Sequence, residues 1–330
     1  MFTGKTILVA PLDWGLGHAT RCVPIIKELL NNNTLILGVT PLTKTILELE
    51  FPQLKKIELP AYEIEYSRTL PLWIKLGLSY PRLSGIIEKE KKLLAKIISE
   101  NNIDVVISDN RFGLYSPKAH CVFITHQVFL KAPAFQKLAQ SVNKKYILKY
   151  NEVWVPDHAS NETNLSGELS HGNHFHKNVK YIGPKSRLQD VICDVEKNKY
   201  DYLILLSGPE PGRTTLEEAL LKKAEAANKR ISVVRGTQLE VKRQLAVGSE
   251  VLDVFDFPSK EVLKKLILSS QTIICRSGYS TLMDMHVLGK NELILIPTTG
   301  QTEQEYLADY WHKQIGTTTL LEKNIQHFNL

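Results

Sequence analysis

One stretch of the 330-residue sequence decides the fold: Cys275-Arg276-Ser277-Gly278-Tyr279-Ser280-Thr281-Leu282-Met283-Asp284. An apolar strand ends here in a Ser-Gly turn, and helical spacing of apolar residues follows directly. This order is typical of parallel sheets covered by helices. Because backbone amides at the start of such a helix point outward, the turn predicts a phosphate site, and Asp284 one helix turn later can accept hydrogen bonds from a ribose.

Short β-branched runs alternate with amphipathic segments along the whole chain, in two series. The first series predicts strands at 7–11, 35–39, 105–108, 122–125 and 153–156. The second predicts strands at 202–207, 231–235, 251–255, 272–275 and 293–297. The pattern indicates two Rossmann-like α/β domains, and ligands of such sheets bind at the carboxyl ends of the strands, here in a cleft between two facing sheets.

A segment rich in Ser, Gly, Asn and His, residues 161–201, separates the two series and is the predicted linker. The boundary is placed near Gly183, which gives an N-terminal domain of residues 1–183 and a C-terminal domain of residues 184–330. Within the linker, His171, His174 and His176 have spacing that zinc can use, but no cysteine or carboxylate stands beside them to complete the ligand set. A solvated loop, or one that reaches the cleft, is therefore predicted there.

Composition sets the class of protein. A hydrophobic content of 43% suits two packed domains, and no apolar run reaches the length of a membrane span. The start of the chain runs into a strand without signal-peptide character, so a cytoplasmic location is expected. Its four cysteines form no Cys-x-x-Cys pair and are predicted to be reduced and structural.

The formal charge of +6 lies mostly in the first half of the chain, where residues 1–165 are net +5. Such an excess suits an anionic acceptor or a membrane surface, and ordinary surface charge is an equal alternative. No run of Lys and Arg with interleaved aromatic residues is of the kind that indicates nucleic-acid binding, so no nucleic-acid partner is expected.

The first predicted strand leads into Asp13-Trp14-Gly15-Leu16-Gly17-His18. Paired glycines allow a tight turn and close approach of a ligand to the helix N-terminus. A histidine at this turn can remove a proton near neutral pH, and the alternative is that His18 caps or packs against the helix. The third glycine of the dinucleotide fingerprint is missing and the second strand does not end in an acidic residue, which disfavours a nicotinamide enzyme.

Two further loops of the C-terminal half can hold a diphosphate or its nucleotide. The first contains Ser207, Gly208 and Arg213 before a predicted helix, and a plain surface loop is the alternative. The second contains Phe257, where contacts to a nucleotide base are expected.

These loops, in this order, resemble the inverting glycosyltransferases related to the bacterial peptidoglycan N-acetylglucosaminyltransferase and the plant galactolipid synthases. The resemblance covers most of the chain and is strong in three places. Gly15, Gly17 and His18 look like the family's N-terminal loop. Residues Arg276, Ser277, Gly278, Tyr279, Ser280 and Asp284 look like its nucleotide motif, with aspartate in place of the usual glutamate. Gln304 and Glu305 stand where the family has a Gln-Gln pair on the donor sugar.

The chain looks closer still to a set of uncharacterised bacterial relatives that share a segment at Asp109 to Gly113 and a Thr-His-Gln segment containing His126 and Gln127. Both segments follow predicted strands, where they can bind an acceptor or position His18. The alternative is that Asp109 and Arg111 pair with each other or cap a helix.

The resemblance implies the two-domain glycosyltransferase-B architecture and inverting transfer of a sugar from a nucleotide-diphosphate donor, with uridine favoured, to a hydroxyl of a glycan or lipid. His18 would be the base, assisted by Asp13 or Asp109, and no cofactor is expected. A bound metal is not expected either, because the sequence contains no Asp-x-Asp triplet.

Two other functions and one location stay open. A nucleotide-sugar epimerase of the same fold would act on the donor alone, and a sensor would bind it without turnover. The apolar segment 70–78 with Trp73, followed by a basic helix, predicts either peripheral docking at the inner face of the cytoplasmic membrane or an ordinary domain edge or dimer contact.

Overall fold

The computed structural model describes residues 2–62, 80–236 and 252–330. The chain divides into two compact units and passes from unit 1 to unit 2 between Ser186 and Arg187. This point lies in the same connecting segment as the predicted boundary at Gly183. The segment 70–78, predicted to be a membrane-docking segment or an ordinary domain edge or dimer contact, lies outside the described residues. The first residue of the predicted strand 251–255 also lies outside them.

Unit 1 contains a seven-stranded sheet whose neighbouring strands all run parallel, in the order β3-β2-β1-β4-β5-β6-β7. The strands are β1 (Thr6–Pro11), β2 (Thr34–Val39), β3 (Lys55–Glu58), β4 (Val105–Asp109), β5 (His120–Ile124), β6 (Glu152–Val155) and β7 (Val179–Tyr181). The helices are α1 (Leu16–Leu30), α2 (Pro41–Glu50), α3 (Tyr80–Asn101) and α4 (Gln136–Ile147), with a short 3-10 helix at Gly167–Leu169.

Unit 2 repeats this plan with a six-stranded parallel sheet, in the order β10-β9-β8-β11-β12-β13. Its strands are β8 (Tyr200–Leu205), β9 (Ile231–Val234), β10 (Leu252–Phe255), β11 (Ser270–Cys275), β12 (Leu293–Leu295) and β13 (Thr318–Thr319). The helices are α5 (Gly212–Ala226), α6 (Lys260–Ser269), α7 (Tyr279–Val287) and α8 (Thr302–Ile315), with a 3-10 helix at Glu322–His327.

Burial explains why the central strands could be predicted from the sequence. Residues Ile7 to Ala10 of β1 and Val105 to Ile107 of β4 are all buried, as strands covered on both faces must be, so they form continuous apolar runs. The predicted α/β class with two parallel sheets is confirmed. Strands β3, β7 and β13 were not in the predicted series, because they lie at sheet edges, are short and carry exposed polar residues.

Each sheet has one point at which the strand order reverses, between β1 and β4 in unit 1 and between β8 and β11 in unit 2. The loops that leave the two strands at such a point turn to opposite faces of the sheet, and the crevice left between them is where ligands of doubly wound sheets bind. The loops that contain His18, Asp109, Gly208 and Gly278 follow or end these four strands.

The predicted linker 161–201 needs correction, because its first part folds into unit 1. The buried Asp157 carboxylate accepts backbone hydrogen bonds from Leu165 at 2.8 Å and Ser166 at 2.9 Å, which holds the turn before the 3-10 helix. A buried carboxylate needs such donors. The segment then continues into β7 at the sheet edge.

The three linker histidines also pack in unit 1, in contrast to the predicted solvated loop. The Nε2 atoms of His171, His174 and His176 contact the His158 carbonyl, the Tyr181 hydroxyl and the Tyr150 carbonyl, at 2.9, 3.0 and 3.0 Å. Each imidazole therefore has its own protein partner. Among the described residues no group of three His, Cys, Asp or Glu side chains is arranged to hold a metal ion.

Gly113 provides a test of the packing between β4 and α3. A Cβ atom at this position would lie 2.5 Å from the Ile87 carbonyl oxygen and 2.6 Å from Glu90 Oε2. We expect Gly113→Ala to lower the free energy of unfolding by about 1–3 kcal/mol, the usual cost of overpacking. The urea midpoint measures this effect.

Gly85→Ala is the matched control, because a Cβ at this exposed position of α3 meets nothing within 4 Å. Alanine in a helix is favoured over glycine by roughly 0.5–1 kcal/mol, so this variant should be as stable as the parent or more stable. Equal midpoints for the two variants would contradict the packing described around Gly113.

Candidate active site

The reversal point of unit 1 brings the glycine loop after β1 close to the end of β4. Gly15 has a φ of +100°, a conformation that side chains other than glycine rarely adopt, and it turns the chain into α1. His18 stands in the first turn of α1, and Asp109 is the last residue of β4. The register of β1 and β4, which pairs Pro11 with Asp109, fixes these two ends beside each other.

His18 and Asp109 are in hydrogen-bond contact, with Nδ1 of His18 at 3.0 Å from Oδ1 of Asp109. Asp109 is fully buried, whereas the His18 side chain keeps 14% of its surface exposed. Within the described residues the hydrogen bonds of His18 use Nδ1, which lies against both Asp109 and Arg21. In the tautomer that donates from Nδ1 to Asp109, Nε2 is the ring nitrogen that can accept a proton. A carboxylate on one imidazole nitrogen and a proton-accepting nitrogen on the other is the arrangement of an oriented general base.

Arg21 completes this cluster and was not among the predicted site residues. Its Nε atom donates to Oδ2 of Asp109 at 2.6 Å, and its Nη2 donates to Oδ1 of the same carboxylate. Nη2 also lies 2.8 Å from Nδ1 of His18, and Nη1 lies 3.2 Å from Nδ1 of the buried His126. An arginine next to the apolar run Cys22-Val23-Pro24-Ile25-Ile26 was the available signal, because a buried charge requires a partner.

Charge and burial shift the titration of this cluster in definite directions. Burial and the Arg21 cation lower the pKa of His18 below its ordinary value, against the opposing effect of Asp109. Burial alone would raise the pKa of Asp109, but Arg21 and His18 outweigh it and hold that pKa well below its ordinary value. The dyad at neutral pH is therefore a neutral imidazole on a carboxylate.

Cys22 shares this site through its Sγ, which lies 3.4 Å from Oδ2 of Asp109. Burial, together with the neighbouring Asp109 charge, raises the pKa of this thiol well above its ordinary value. Cys22 is thus a protonated, packed thiol, as the structural role predicted for the cysteines requires.

Asp13 and Arg111 occupy a second buried cluster, which corrects two predictions. Arg111 is fully buried and donates from Nε to Glu90 at 2.6 Å and from Nη1 to the Pro11 carbonyl at 3.3 Å. Asp13 accepts the backbone N–H of Tyr62 at 3.1 Å and lies 3.7 Å from Arg111. Arg111 therefore braces the loop from inside instead of facing an acceptor, and Asp13 does not contact His18.

The alternative pairing of Asp109 with Arg111 is likewise replaced by two separate ion pairs, Asp109 with Arg21 and Glu90 with Arg111. Gln127, next to His126, holds its loop through its backbone: its N–H donates to Thr125 Oγ1 at 3.0 Å and its carbonyl accepts from Asn143 at 3.1 Å. Gly17 accepts a hydrogen bond from Thr20 in the first turn of α1.

In unit 2 the loop after β8 contains Ser207 and Gly208 and leads into α5. Arg213, predicted to bind a diphosphate, is buried and engaged: Nε donates to Glu210 at 2.7 Å and Nη1 donates to Glu217 at 2.5 Å. Glu217 also accepts from Arg235, which reaches Asp256 at 2.6 Å. Arg213 is therefore part of an ion-pair network that holds the loops after β8, β9 and β10, and this network places Phe257 beside Asp256 at the same edge.

The loop after β11 is held in a similar way. Arg276 is buried, with Nη2 at 2.6 Å from Glu322 and Nη1 donating to the Ile296 carbonyl at 3.2 Å. Glu322 in turn accepts the Thr299 hydroxyl at 2.6 Å. Arg276, predicted as a donor contact, thus ties the loop after β11 to the loop after β12 and to the C-terminal 3-10 helix.

The nucleotide motif and the glutamine motif meet within unit 2. Ser277 Oγ donates to the Gln304 carbonyl at 2.8 Å, and Oε1 of Gln304 accepts from the Thr298 N–H at 3.0 Å. Glu305 accepts the Gly300 N–H at 2.9 Å. The two motifs are therefore one rigid set of loops at the carboxyl end of β11 and β12.

The start of α7 faces this set without a side-chain cap, because its N-cap residue is Gly278. Tyr279 is buried, Ser280 lies in the first turn and Asp284 lies one turn later. The first turn contains no acidic residue. The positive end of the helix dipole favours an anion at this end.

Comparison with known proteins gives a family match for unit 2 and several solved structures of similar fold. Residues 212–330 match the family model described as the glycosyltransferase family 28 C-terminal domain. A solved glycosyltransferase of kitacinnamycin is similar to the chain with a TM-score of 0.67 at 9% identity, over 99% of this chain and 88% of that one. No curated protein matches the sequence.

Two more solved structures share the fold. MurG of Acinetobacter baumannii is similar with a TM-score of 0.56 at 12% identity, over 97% of this chain and 87% of that one. UGT89C1 of Arabidopsis thaliana, complexed with UDP-L-rhamnose, is similar with a TM-score of 0.61 at 13% identity, over 97% of this chain and 86% of that one.

None of the helices in the described part of the chain has the length and apolar character of a membrane span.

At these identities the solved structures establish the fold alone, which confirms the predicted glycosyltransferase-B fold with its two parallel sheets. The match of residues 212–330 gives the class of chemistry. Because residues 212–330 match this family model and the chain has the fold of solved glycosyltransferases, the chain is a glycosyltransferase.

Proposed function

We propose that the enzyme transfers a sugar, with inversion, from a uridine-diphosphate sugar to a hydroxyl group of a glycan or lipid acceptor, and that no metal takes part. The observation that carries this proposal is the contact of His18 with Asp109 at 3.0 Å, next to Arg21. Such a dyad supplies a base for an acceptor hydroxyl. The family 28 match of residues 212–330 supports a nucleotide-sugar donor in unit 2.

In the proposed reaction the acceptor oxygen attacks the anomeric carbon while its proton moves to Nε2 of His18. The new bond from oxygen to carbon forms as the bond from the anomeric carbon to the diphosphate oxygen breaks, and the nucleoside diphosphate leaves with that electron pair. Asp109 stabilises the imidazolium that results, because its carboxylate stays ionised beside Arg21.

The leaving diphosphate gains negative charge. We assign its stabilisation to hydrogen-bond donors of unit 2 that are neutral side chains or backbone N–H groups. The uncapped start of α7 at Gly278, with Ser280, and the loop of Ser207 and Gly208 are the candidates. Arg213 and Arg276 act indirectly, because their guanidinium groups bind Glu217 and Glu322. Asp284 is the proposed ribose contact, and Gln304 and Glu305 are the proposed sugar contacts.

We expect His18→Ala to lower kcat by about 10²–10⁴-fold, the usual contribution of a general base, while the affinity for the nucleotide-sugar stays within about twofold. The assay compares transfer to an acceptor with thermal stabilisation by the donor. His327→Ala, an exposed histidine of unit 2, is the control and should keep full activity. Unchanged turnover of His18→Ala would remove this residue as the base.

The same assay without acceptor separates the proposal from its two alternatives. Rapid conversion of the donor alone would identify an epimerase, and stabilisation by the donor without any conversion, with or without acceptor, would identify a sensor. Transfer only in the presence of acceptor is the expected result.

Arg21 provides a prediction on pH dependence. The active base is the neutral imidazole, so activity falls as the pH drops through the pKa of His18. Because burial and the Arg21 cation lower this pKa from 6.5, Arg21→Met should raise it and move the acidic limb of kcat/KM to higher pH. Arg21→Lys keeps the charge and is the matched control, with a limb closer to that of the parent.

If Arg21→Met lowers kcat/KM at every pH without a shift of the acidic limb, Arg21 only supports the fold. Loss of one partner of a buried ion pair lowers the free energy of unfolding by about 3–5 kcal/mol. The unfolding midpoint of each variant is therefore measured together with its pH profile.

Substitution of Gly278 tests donor binding independently of folding stability. A Cβ here meets nothing within 4 Å, and aspartate is a favoured N-cap, so Gly278→Asp should leave the unfolding midpoint equal or higher. Its carboxylate would repel a diphosphate at the start of α7, and we expect at least about tenfold weaker binding of UDP in calorimetry. Gly278→Asn gives a similar cap without charge and should bind more tightly than the aspartate variant; equal affinities would remove this helix end as the diphosphate site.

A further inference from the structure

Glu322, at the start of the 3-10 helix Glu322–His327, binds two loops of unit 2 with one carboxylate. Oε1 of Glu322 lies 2.6 Å from Nη2 of Arg276, in the loop after β11. Oε2 accepts from Thr299, in the loop after β12, through the hydroxyl at 2.6 Å and the backbone N–H at 3.2 Å. Each oxygen holds a different loop, so the spacing of the two loops depends on this single planar group.

The carboxylate of Glu322 stays ionised in this position. Burial alone would raise its pKa, but the Thr299 hydrogen bond and the Arg276 cation outweigh burial and hold the pKa below its ordinary value. Arg276 is only 2% exposed, and a buried guanidinium group needs an anionic partner. Because hydrogen bonds to an ionised acceptor are stronger than those between neutral groups, both loops are held firmly.

The hold on Thr299 extends to the proposed sugar contact at Gln304. Thr298, the preceding residue, donates to Oε1 of Gln304 from its backbone N–H at 3.0 Å and from its hydroxyl at 3.1 Å. A backbone N–H can only donate, so the amide oxygen of Gln304 must face Thr298. The orientation of this amide group therefore depends on the loop that Glu322 holds.

The 3-10 helix that begins at Glu322 is itself anchored in unit 2. Ile325 is buried in the same apolar core as Leu216 of α5. Lys223, also on α5, donates to the Gln326 carbonyl at 2.6 Å. Since α5 follows the loop after β8, this anchor joins the loop after β8 to the two loops that Glu322 binds.

A donor that contacts two loops needs both of them at one spacing. The proposed diphosphate contacts follow β11, and the proposed sugar contacts follow β12. A nucleotide can bind at the first loop alone, whereas transfer also needs the sugar in line with its leaving group. Small misplacements of reacting groups lower rates by large factors. Loss of the link between the loops should therefore reduce turnover more than nucleotide binding.

We propose that Glu322 is a positioning residue of the donor site, which acts through Arg276 and Thr299 to set the spacing between the diphosphate contacts and the sugar contacts. Glu322 itself touches no substrate atom and acts through the two loops. Its effect on turnover rests on the proposed function, whereas the link between the loops does not.

Amide hydrogen exchange of the protein without ligand tests the link. Thr299→Val removes the hydroxyl donor but leaves Arg276 bound, so exchange should rise by at least about threefold in residues 297–305 only. Glu322→Gln removes the charge and one of the two accepting oxygens, so exchange should also rise in residues 276–280. Exchange equal to that of the parent in both variants would overturn the proposal.

Turnover and UDP binding, measured on the same variants, test the role in the reaction. For Thr299→Val we expect kcat with the parent's best UDP-sugar to fall about tenfold, while thermal stabilisation by UDP reports an affinity within about twofold. Thr299 is exposed, so the variant should fold like the parent. A lower unfolding midpoint with unchanged kcat would indicate a purely structural role and overturn the proposal.

The double variant shows whether the two residues act together. If Glu322 acts through Thr299, Glu322→Gln combined with Thr299→Val should lose no more kcat than Glu322→Gln alone, whereas losses that multiply would overturn the proposal. Asp309→Asn removes another ion-paired carboxylate of unit 2, and Thr319→Val removes another exposed threonine hydroxyl. Both are matched controls and should behave like the parent in every measurement.

The two kinds of measurement separate this proposal from the proposed function. If the parent transfers no sugar from any UDP-sugar, that result counts against the proposed function. Hydrogen exchange in the Glu322 and Thr299 variants would still decide whether the carboxylate links the two loops.

Discussion

The buried carboxylate of Asp109 holds the proposed catalytic end of unit 1 together. It stands at the last position of a central strand, without solvent, and such a charge is stable only with close partners. Helix α1 supplies these partners. Arg21 Nε lies 2.6 Å from Oδ2 of Asp109, and His18 Nδ1 lies 3.0 Å from Oδ1. The pairing fixes α1 against β4 and, in the same geometry, orients an imidazole whose second nitrogen is left to act on a substrate.

The cluster also shows how the protein keeps a base neutral in a partly buried place. An isolated histidine-carboxylate pair would favour the protonated imidazole, because the carboxylate stabilises the cation. The Arg21 guanidinium offsets that effect while it keeps Asp109 ionised. One arginine thus influences both partners, and the imidazole stays neutral.

Unit 2 uses buried ion pairs for a different purpose. Glu217 joins Arg213 and Arg235, and Glu322 joins Arg276 to Thr299, so that the loops at the carboxyl end of the sheet are held by charges behind them. Ser207, Gly208 and Gly278 in these loops are the proposed contacts of the diphosphate, and loops held in this way would need little reorganisation when a ligand binds.

The sequence by itself determined the two parallel sheets, because strands buried on both faces form apolar runs that periodicity detects. It also placed the glycine turn with His18, and the segment that begins at Asp109, directly after predicted strands, where ligands of such sheets bind. The sequence pattern did not predict short edge strands such as β3, because they carry no apolar run. For the same reason it did not predict that the part of the linker held by Asp157 folds into unit 1.

Only the tertiary structure decided which charged residues face a ligand. Arg111, Arg213 and Arg276 look like anion contacts in the sequence, yet Glu90, Glu217 and Glu322, distant in the chain, bind them inside their units. Arg21 looked like an ordinary helix residue and is instead the partner of Asp109. A guanidinium group satisfies its charge with whichever carboxylate lies nearest in space, and that neighbour is set by chain packing across many residues, which local sequence patterns do not record.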